Sequence, residues 1–199
     1  MQPHKVYLSW TSGPKVGITR ADRLWRRWAD QGAVCAIELA QVPTRRAAGV
    51  VEAALKHFVA DRTDWRRLVT QPRQVEEVRP SMLALAQRLR SQCDELGSLS
   101  TDHLHTRLDL SERAAMSWVD HFELRTLVYP GQSRTVAKRL QCQSENALVQ
   151  GRLIGAVGHF LLLDTGVVDV WSHASEQVEV TALDVDTNQT QDSHQGSLF

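Results

Sequence analysis

The sequence predicts an α+β protein in which a small module of strands and helices precedes a β-rich module. Two observations favour this class. β-prone runs alternate with helical patterns near the N-terminus, and from Phe122 onward strand-like segments follow one another, separated by Gly, Asn and Pro. The chain of 199 residues is long enough to bury a core in one medium domain or two small ones.

The N-terminal module is predicted from a hairpin followed by two amphipathic helices around a third strand. Ser12-Gly13-Pro14 separates the first two β-prone runs, since Gly and Pro favour turns. Leu24, Trp25 and Trp28 then recur at helical spacing. Pro43-Thr44 supplies a stop and a cap for the second helix. The expected elements are strands at 5–10, 15–19 and 33–42 and helices at 22–30 and 45–60.

Beyond the second helix, the sequence predicts a helical connector and then the β-rich module. We take Pro80 as the start of a helix that runs to about Gly97, and 61–65 and 111–118 as shorter helical stretches. The strand-like segments are 122–129, 135–142, 147–157, 160–164 and 167–171. The expected division is an α/β module at 1–72, a helical connector at 73–118, a small antiparallel β module at 119–183 and a disordered tail at 184–199.

The formal net charge of +0 conceals an asymmetry along the chain. Residues 1–90 hold 16 Lys and Arg against 8 Asp and Glu, a balance of +8, and residues 91–199 hold 7 against 15, a balance of −8. A basic half favours a polyanionic partner such as nucleic acid, with binding located in residues 1–90. The alternative is that the two halves dock on each other through complementary charge.

Composition also limits the compartment and the partners. No apolar run approaches the roughly 20 residues that cross a bilayer, and residues 1–5 lack the apolar stretch of a signal peptide, so no membrane partner is expected. Cys35, Cys93 and Cys142 are widely separated, which favours a reducing compartment over a disulfide framework. A cytoplasmic location is therefore expected, and the oligomeric state stays open.

Four positions of the N-terminal module carry residues that a nuclease family uses. Lys5-Val6-Tyr7 stands on the first strand, Lys15-Val16-Gly17 on the second, Arg27 on the first helix and Glu52 on the second. In this order and spacing the sequence resembles the GIY-YIG nucleases, which carry a Tyr, then a Tyr-Ile-Gly, then an Arg and a Glu. The resemblance implies a GIY-YIG-like three-stranded sheet with flanking helices.

A longer resemblance covers most of residues 4–172. The runs KVGITR, RRWADQGA, TRRAAGVVEAALKHFVADRTDW and GRLIGAVGHFLLLDTGVV resemble a bacterial family known as domain of unknown function 2797. Lys15 stands where the nucleases keep a Tyr, and Asp64 is a candidate for the polar residue that follows their Glu. Members of the bacterial family usually carry a Cys-rich, zinc-ribbon-like segment ahead of the hairpin. This sequence lacks it, so it is either a shortened form or has a misplaced start.

The nuclease resemblance implies a metal-dependent phosphodiesterase that acts on DNA or RNA. Glu52 would bind Mg²⁺ or Mn²⁺ through its carboxylate, and Arg27 would stabilise charge that develops on the phosphate. Tyr7 would take part in proton transfer. The residues expected to contact substrate phosphates are Lys15, Arg20, Arg23 and Arg26.

Each of these residues also has a purely structural interpretation. Glu52 could pair with Lys56 one turn along its helix, and Arg27 could belong to a solvated basic face. Tyr7 could lie at the edge of the core with its hydroxyl at the surface. Trp25 and the neighbouring arginines could stack bases and hold phosphates, although Trp at helical spacing is more often core. The alternative function is a module that binds nucleic acid without cleaving it.

Asp164-Thr165-Gly166 follows three leucines and matches the signature of aspartic proteases, whose chemistry needs two such aspartates. The Ile-Gly that those enzymes carry downstream lies upstream here, at Ile154-Gly155. Asp-Thr-Gly is also an ordinary turn between apolar strands. We interpret the triplet as a hairpin turn and keep the protease as a minor alternative.

Overall fold

The computed structural model of the protein describes residues 2–59, 63–98, 110–131, 138–140 and 149–173. These residues form an α+β fold with a larger antiparallel sheet, flanking helices and a small C-terminal sheet, which confirms the predicted fold class. In chain order the elements are β1 (His4–Trp10), β2 (Pro14–Arg20), α1 (Leu24–Asp30), β3 (Cys35–Val42), α2 (Arg45–Leu55), α3 (Trp65–Thr70), α4 (Val75–Ser98), α5 (Leu110–Ala114), β4 (Ser117–Trp118), β5 (Leu124–Thr126), β6 (Arg139–Leu140), β7 (Leu153–Val157), β8 (Phe160–Leu163) and β9 (Gly166–Asp169).

The first sheet combines strands from distant parts of the chain. Its strand order is β2-β1-β3-β4, and β5 pairs with another stretch of β3. β4 pairs with Ala40 and Gln41, and β5 pairs with Cys35, Ala36 and Ile37, in both cases antiparallel. The sheet therefore has two short strands more than the three predicted, and both come from beyond the long helix α4.

The main hydrophobic core lies on the face of the first sheet that α2 and α4 cover. Side chains alternate between the two faces of a strand, so the even-numbered residues of β1 point into this core. We call this side the core face. Its fully buried members include Val6, Leu8, Val16, Ile37, Leu39, Val51, Leu55, Met82 and Leu89.

Helix α4 begins five residues before Pro80, so the predicted start at that proline is wrong. Pro80 lies inside the helix, where its missing N–H removes a single backbone hydrogen bond. Val75 and Val78 pack on the core ahead of the proline, at the same helical spacing as Met82. Burial of these side chains offsets the lost hydrogen bond.

Helix α2 begins at a capping residue and carries Glu52 in its interior. The Thr44 hydroxyl accepts a hydrogen bond from the backbone N–H of Ala47 at 2.9 Å, which satisfies one of the exposed donors at the helix start. The helix packs against β2 and β1, with Val51 and Leu55 turned into the core. It ends at Leu55, five residues before the predicted limit of 60.

The second sheet has the strand order β6-β9-β8-β7 and packs on α3. Its pairs are antiparallel except for β6 and β9, which are parallel. Phe160, Leu162 and Val167 form a separate core with Leu68 and Val69 of α3. Gly158, in the turn between β7 and β8, approaches the backbone at the end of α1 so closely that an added Cβ would lie 2.7 Å from the Gly32 nitrogen.

The predicted module boundaries can be compared with these contacts. The helix α4, from the predicted connector at 73–118, lies in the core of the first sheet, and β5 from the predicted β module pairs with β3. The tail at 184–199 lies outside the described residues.

None of the helices in the described ranges combines the length and the apolar character needed to cross a membrane.

Candidate functional site

Tyr7 lies across the backbone of Gly17 at an edge of the first sheet. The two residues are direct partners in the register of β1 and β2, and β2 is the edge strand. A Cβ atom added to Gly17 would come within 2.5 Å of the Tyr7 hydroxyl oxygen and 2.6 Å of Cζ. The missing side chain at Gly17 therefore lets the Tyr7 ring extend over β2, with its hydroxyl above the edge strand.

Two polar side chains of the α1 region reach the Tyr7 hydroxyl. Arg27 and Gln31 are four residues apart, so they lie on the same side of the helix. The Gln31 amide oxygen accepts hydrogen bonds from Arg27 Nε at 3.0 Å and Nη2 at 3.1 Å. The Tyr7 hydroxyl lies 3.1 Å from both amide atoms, so it can donate to the oxygen or accept from the nitrogen. This network assigns the orientation of the amide. We call Tyr7, Arg27 and Gln31 the Tyr7 cluster.

Glu52 acts on the Tyr7 cluster from the helix that covers the core face. The negative charge of its carboxylate raises the pKa of Tyr7, after burial and the contacts of Arg27 and Gln31. The same carboxylate pairs with Lys56 Nζ at 3.4 Å, and its side chain is 21% exposed. Among the described residues no ion pair joins Glu52 to Arg27.

The Tyr7 hydroxyl is held in its neutral form. Burial raises the pKa of Tyr7 above its ordinary value, because the ionised phenolate would lose its hydration. The positive charge and hydrogen bond of Arg27 and the hydrogen bond of Gln31 lower the pKa, and the Glu52 charge raises it again. Tyr7 is fully buried, so its hydroxyl is at the base of the site and not at the surface.

Lys15 lies on the same face of the sheet as Tyr7. It pairs with Ser9, two residues beyond Tyr7 on β1, and strand alternation places residues 15 and 17 on one face. Lys15 is half-buried and lies about 7 Å along β2 from Gly17. The structure thus brings Lys15, Tyr7 and Arg27 to one side of the edge of the sheet, while Glu52 lies on α2, the helix that covers the core face.

The remaining arginines predicted to bind substrate are arranged around α1. Arg20 ends β2 and pairs with Asp22 at 3.5 Å, and Arg26 pairs with Asp30 at 3.8 Å. Arg23 is exposed. None of the three contributes to the hydrogen bonds of the Tyr7 cluster. Asp64, the other candidate polar residue, caps α3 by accepting hydrogen bonds from the backbone N–H groups of Arg66 and Arg67.

A divalent cation at this place would have few ligands from the protein. Mg²⁺ in proteins often keeps several waters and binds one or two carboxylates together with substrate phosphates. Two carboxylates lie in this region: Glu38 is the partner of Tyr7 on β3 and pairs with Lys5, and Glu52, 21% exposed on α2, pairs with Lys56. Within the described ranges no group of three or more His, Cys, Asp or Glu could hold a metal ion. A cation here would therefore depend on Glu52 and on oxygens of the substrate.

Comparison with known proteins identifies the family. The family model described as a protein of unknown function, DUF2797, matches residues 1–178. The chain belongs to DUF2797. A search of curated proteins found no match, and a search of solved structures found none either. The matched range of DUF2797 contains both sheets and every residue of the Tyr7 cluster.

The sequence analysis missed Gln31 of this DUF2797 site and also a tyrosine that binds the end of α1. Gln31 was interpreted as the end of a helix, although its spacing of four residues from Arg27 was a signal that the two side chains meet. Tyr129 lies about a hundred positions away, and its hydroxyl donates to the carbonyl oxygens that end α1, with the Ala33 oxygen at 3.0 Å and the Ala29 oxygen at 3.2 Å. Burial raises the pKa of Tyr129 and keeps it a donor.

The Asp164-Thr165-Gly166 triplet of the DUF2797 chain forms the turn between β8 and β9. Asp164 Oδ1 accepts a hydrogen bond from the Arg152 backbone N–H at 2.9 Å, and the Thr165 hydroxyl donates to the Gln150 carbonyl at 2.8 Å. Gly166 adopts a φ of 154° and pairs with Leu163 across the hairpin. The triplet therefore holds the turn against the segment that precedes β7.

Proposed function

We propose that this DUF2797 member is a metal-dependent phosphodiesterase that acts on nucleic acid, with a GIY-YIG-like module in residues 1–72. The observation that carries the proposal is the hydrogen-bonded network of Tyr7, Arg27 and Gln31, which joins a strand and a helix at the edge of the sheet. The Glu52 charge on α2 also raises the pKa of Tyr7. The order β1, β2, α1, β3, α2 is also the order on which the nuclease resemblance rests.

Arg27 is suited to bind and polarise a phosphate. A guanidinium offers planar, forked donors that match phosphate oxygens, and Gln31 fixes one side of that fork through Nε and Nη2. The remaining donors can face a bound phosphate group. Lys15, on the same side of the sheet, would hold a neighbouring phosphate as a point charge.

Tyr7 is suited to donate a hydrogen bond rather than to act as a base. Its raised pKa keeps the proton on the phenol at neutral pH. The Gln31 amide oxygen accepts the phenol proton in the free site, so donation to a phosphate oxygen would exchange this hydrogen bond for one to the substrate. In hydrolysis a water molecule adds to phosphorus, the bond to the leaving oxygen breaks, and donors at this place stabilise the charge that develops.

Glu52 would hold Mg²⁺ or Mn²⁺, exchanging its contact with Lys56 for the ion. When bound, such an ion polarises phosphoryl oxygens and eases departure of the leaving group. The fit of one carboxylate with a hydrated ion supports this role.

A cleavage assay on mixed DNA and RNA substrates, with and without Mg²⁺ or Mn²⁺, tests the proposal. Cleavage should require the metal and should fall to background in Glu52→Gln. Arg27→Ala should reduce the cleavage rate by about 10²- to 10³-fold, the effect of removing a transition-state donor. Glu76→Gln and Arg88→Ala, which change exposed residues of α4, serve as matched controls and should cleave normally. Cleavage that Glu52→Gln leaves unchanged would contradict the proposal.

A second candidate is a module that binds nucleic acid without cleaving it. Two observations favour it: Tyr7 is fully buried, and Glu52 already pairs with Lys56. In this case wild type and Glu52→Gln would both be inert, but binding would persist and weaken steeply with added salt, since each neutralised phosphate releases counterions. Arg27→Ala and Lys15→Ala would each lower the salt slope of binding by about one unit.

A further inference from the structure

Trp25 is an exposed aromatic side chain on the helix that carries Arg27. It is 54% exposed, although a Trp side chain offers a large apolar area for burial. Trp28, one turn further along α1, is 2% exposed and belongs to the small core beneath the helix. The two residues were predicted as members of one helical stripe, so the exposure of Trp25 sets it apart.

An aromatic stack connects Trp25 with the Tyr7 cluster. The rings of Trp25 and Trp28 meet edge to face with centroids 5.2 Å apart, and Trp28 meets Tyr7 edge to face at 6.0 Å. Trp28 thus supports the Trp25 ring from below and links it to the phenol of the site. A supported indole keeps its orientation, so less conformational entropy is lost when a planar ligand stacks on its open side.

The charge around Trp25 suits an anionic ligand. From Arg20 to Gln31 the chain carries Arg20, Arg23, Arg26 and Arg27 against two aspartates. Asp22 and Asp30 are engaged by Arg20 and Arg26, whereas Arg23 and Arg27 form no ion pair with a carboxylate in the part of the chain that the structure describes. The indole N–H of Trp28 is buried and has no hydrogen-bond acceptor in the described part of the chain.

We propose that Trp25 is a stacking platform for an unpaired nucleobase next to the phosphate-binding cluster, so that the preferred ligand is single-stranded or locally opened nucleic acid. The inference rests on the proposed function and specifies its substrate class. Every nucleobase presents a π-face to an aromatic ring, and arginines beside the ring hold the backbone phosphates. In duplex DNA or RNA the bases are already stacked on one another, so a platform of this kind discriminates against duplex.

The test measures binding of the full chain to a labelled oligothymidylate, to an oligouridylate of the same length and to the matched duplexes, in EDTA so that no cleavage occurs. Trp25→Ala should weaken binding of the single strands by about 5- to 150-fold, the range for loss of one stacked base, and should change duplex binding by less than about 2-fold. Trp25→Phe should retain most of the affinity, because a phenyl ring still stacks. The DNA and RNA arms show which backbone is preferred.

Trp171→Ala provides a matched control, since Trp171 is 49% exposed on the C-terminal part of the chain and stacks on His159. It should leave single-strand binding unchanged. The platform would be overturned if Trp25→Ala left single-strand affinity unchanged, if it weakened duplex binding equally, or if it dissociated an oligomer, which would make Trp25 a subunit contact. If one of these results is obtained while cleavage still depends on Glu52, only the stacking platform is overturned. If the full chain shows no salt-sensitive binding to any of the oligonucleotides, the proposed function is overturned as well.

Discussion

Tyr7 and Leu8 are consecutive residues of β1 and are both fully buried, but they lie on opposite faces of the first sheet. Leu8 points to the core face, among the aliphatic side chains of α2 and α4. Tyr7 points to the other face, where its ring packs on Trp28 and Gly17 and its hydroxyl meets Gln31. One strand therefore serves stability on one side and a polar site on the other.

The difference follows from the helices that cover the two faces. α4 is 24 residues long and α2 is 11, so the core face is covered along its length. α1 has 7 residues and buries chiefly Leu24 and Trp28. A short helix leaves room at its end for polar groups, and the last turn of α1 supplies Arg27 and leads into Gln31.

The strongest contrast is expected between Leu8→Ala and Tyr7→Phe. Leu8→Ala should lower the free energy of unfolding by about 2–5 kcal/mol, because it opens a cavity in a packed core. Tyr7→Phe removes one hydroxyl and should lower it by about 0.5–1.5 kcal/mol. Urea denaturation of both variants measures the two values. Equal losses of unfolding free energy in the two variants would show that the core face does not contribute more to stability than the Tyr7 face.

The position of the Tyr7 ring gives a smaller but more specific effect. Gly17→Ala should lower the free energy of unfolding by about 1–3 kcal/mol, because the new methyl group would overlap the ring and force it to move. Gly13→Ala, in the hairpin turn, is the control, since a Cβ there meets nothing within 4 Å. Thermal denaturation should separate the two variants. A Gly17→Ala protein as stable as Gly13→Ala would mean that the ring does not cross the strand.

The sequence predicted the core face better than the site. β1, β2, β3 and α2 were located because their apolar periodicity is local, and the Tyr7, Arg27 and Glu52 positions came from the resemblance to the GIY-YIG nucleases. The pairing of β4 and β5 with β3 could not be predicted, because strands of two and three residues carry no pattern that specifies a distant partner. Gln31 and Tyr129 were missed for a similar reason: their contacts depend on how α1 ends in three dimensions.

Cys35 is an ionisable group buried in the core face, and its titration gives the smallest of these effects. Burial raises the pKa of the Cys35 thiol from 9.0 to about 11, with Arg79 lowering it slightly. Because the folded pKa exceeds the unfolded value, this contribution to stability is complete below pH 9 and is lost as the pH rises through 11.

Between pH 9 and pH 10 the loss should amount to about 1 kcal/mol in wild type relative to Cys35→Ala, which has no thiol at this position. Urea denaturation at the two pH values measures it, and comparison with Cys35→Ala removes the contribution of the tyrosines, which ionise in the same range when unfolded. Parallel curves for the two proteins would mean that the thiol is not buried in the neutral form.

The most direct test of the site is an NMR titration with a single-stranded oligonucleotide that follows the indole N–H signals of the six tryptophans, assigned through Trp→Phe variants. Trp25 and Trp28 lie on the Tyr7 side of the sheet, whereas Trp118 packs against the core-face cluster and contacts Arg90. The account predicts saturable shifts of the Trp25 and Trp28 signals and a constant Trp118 signal. Shifts confined to Trp118 or Trp171, or no shift of any indole signal, would contradict it.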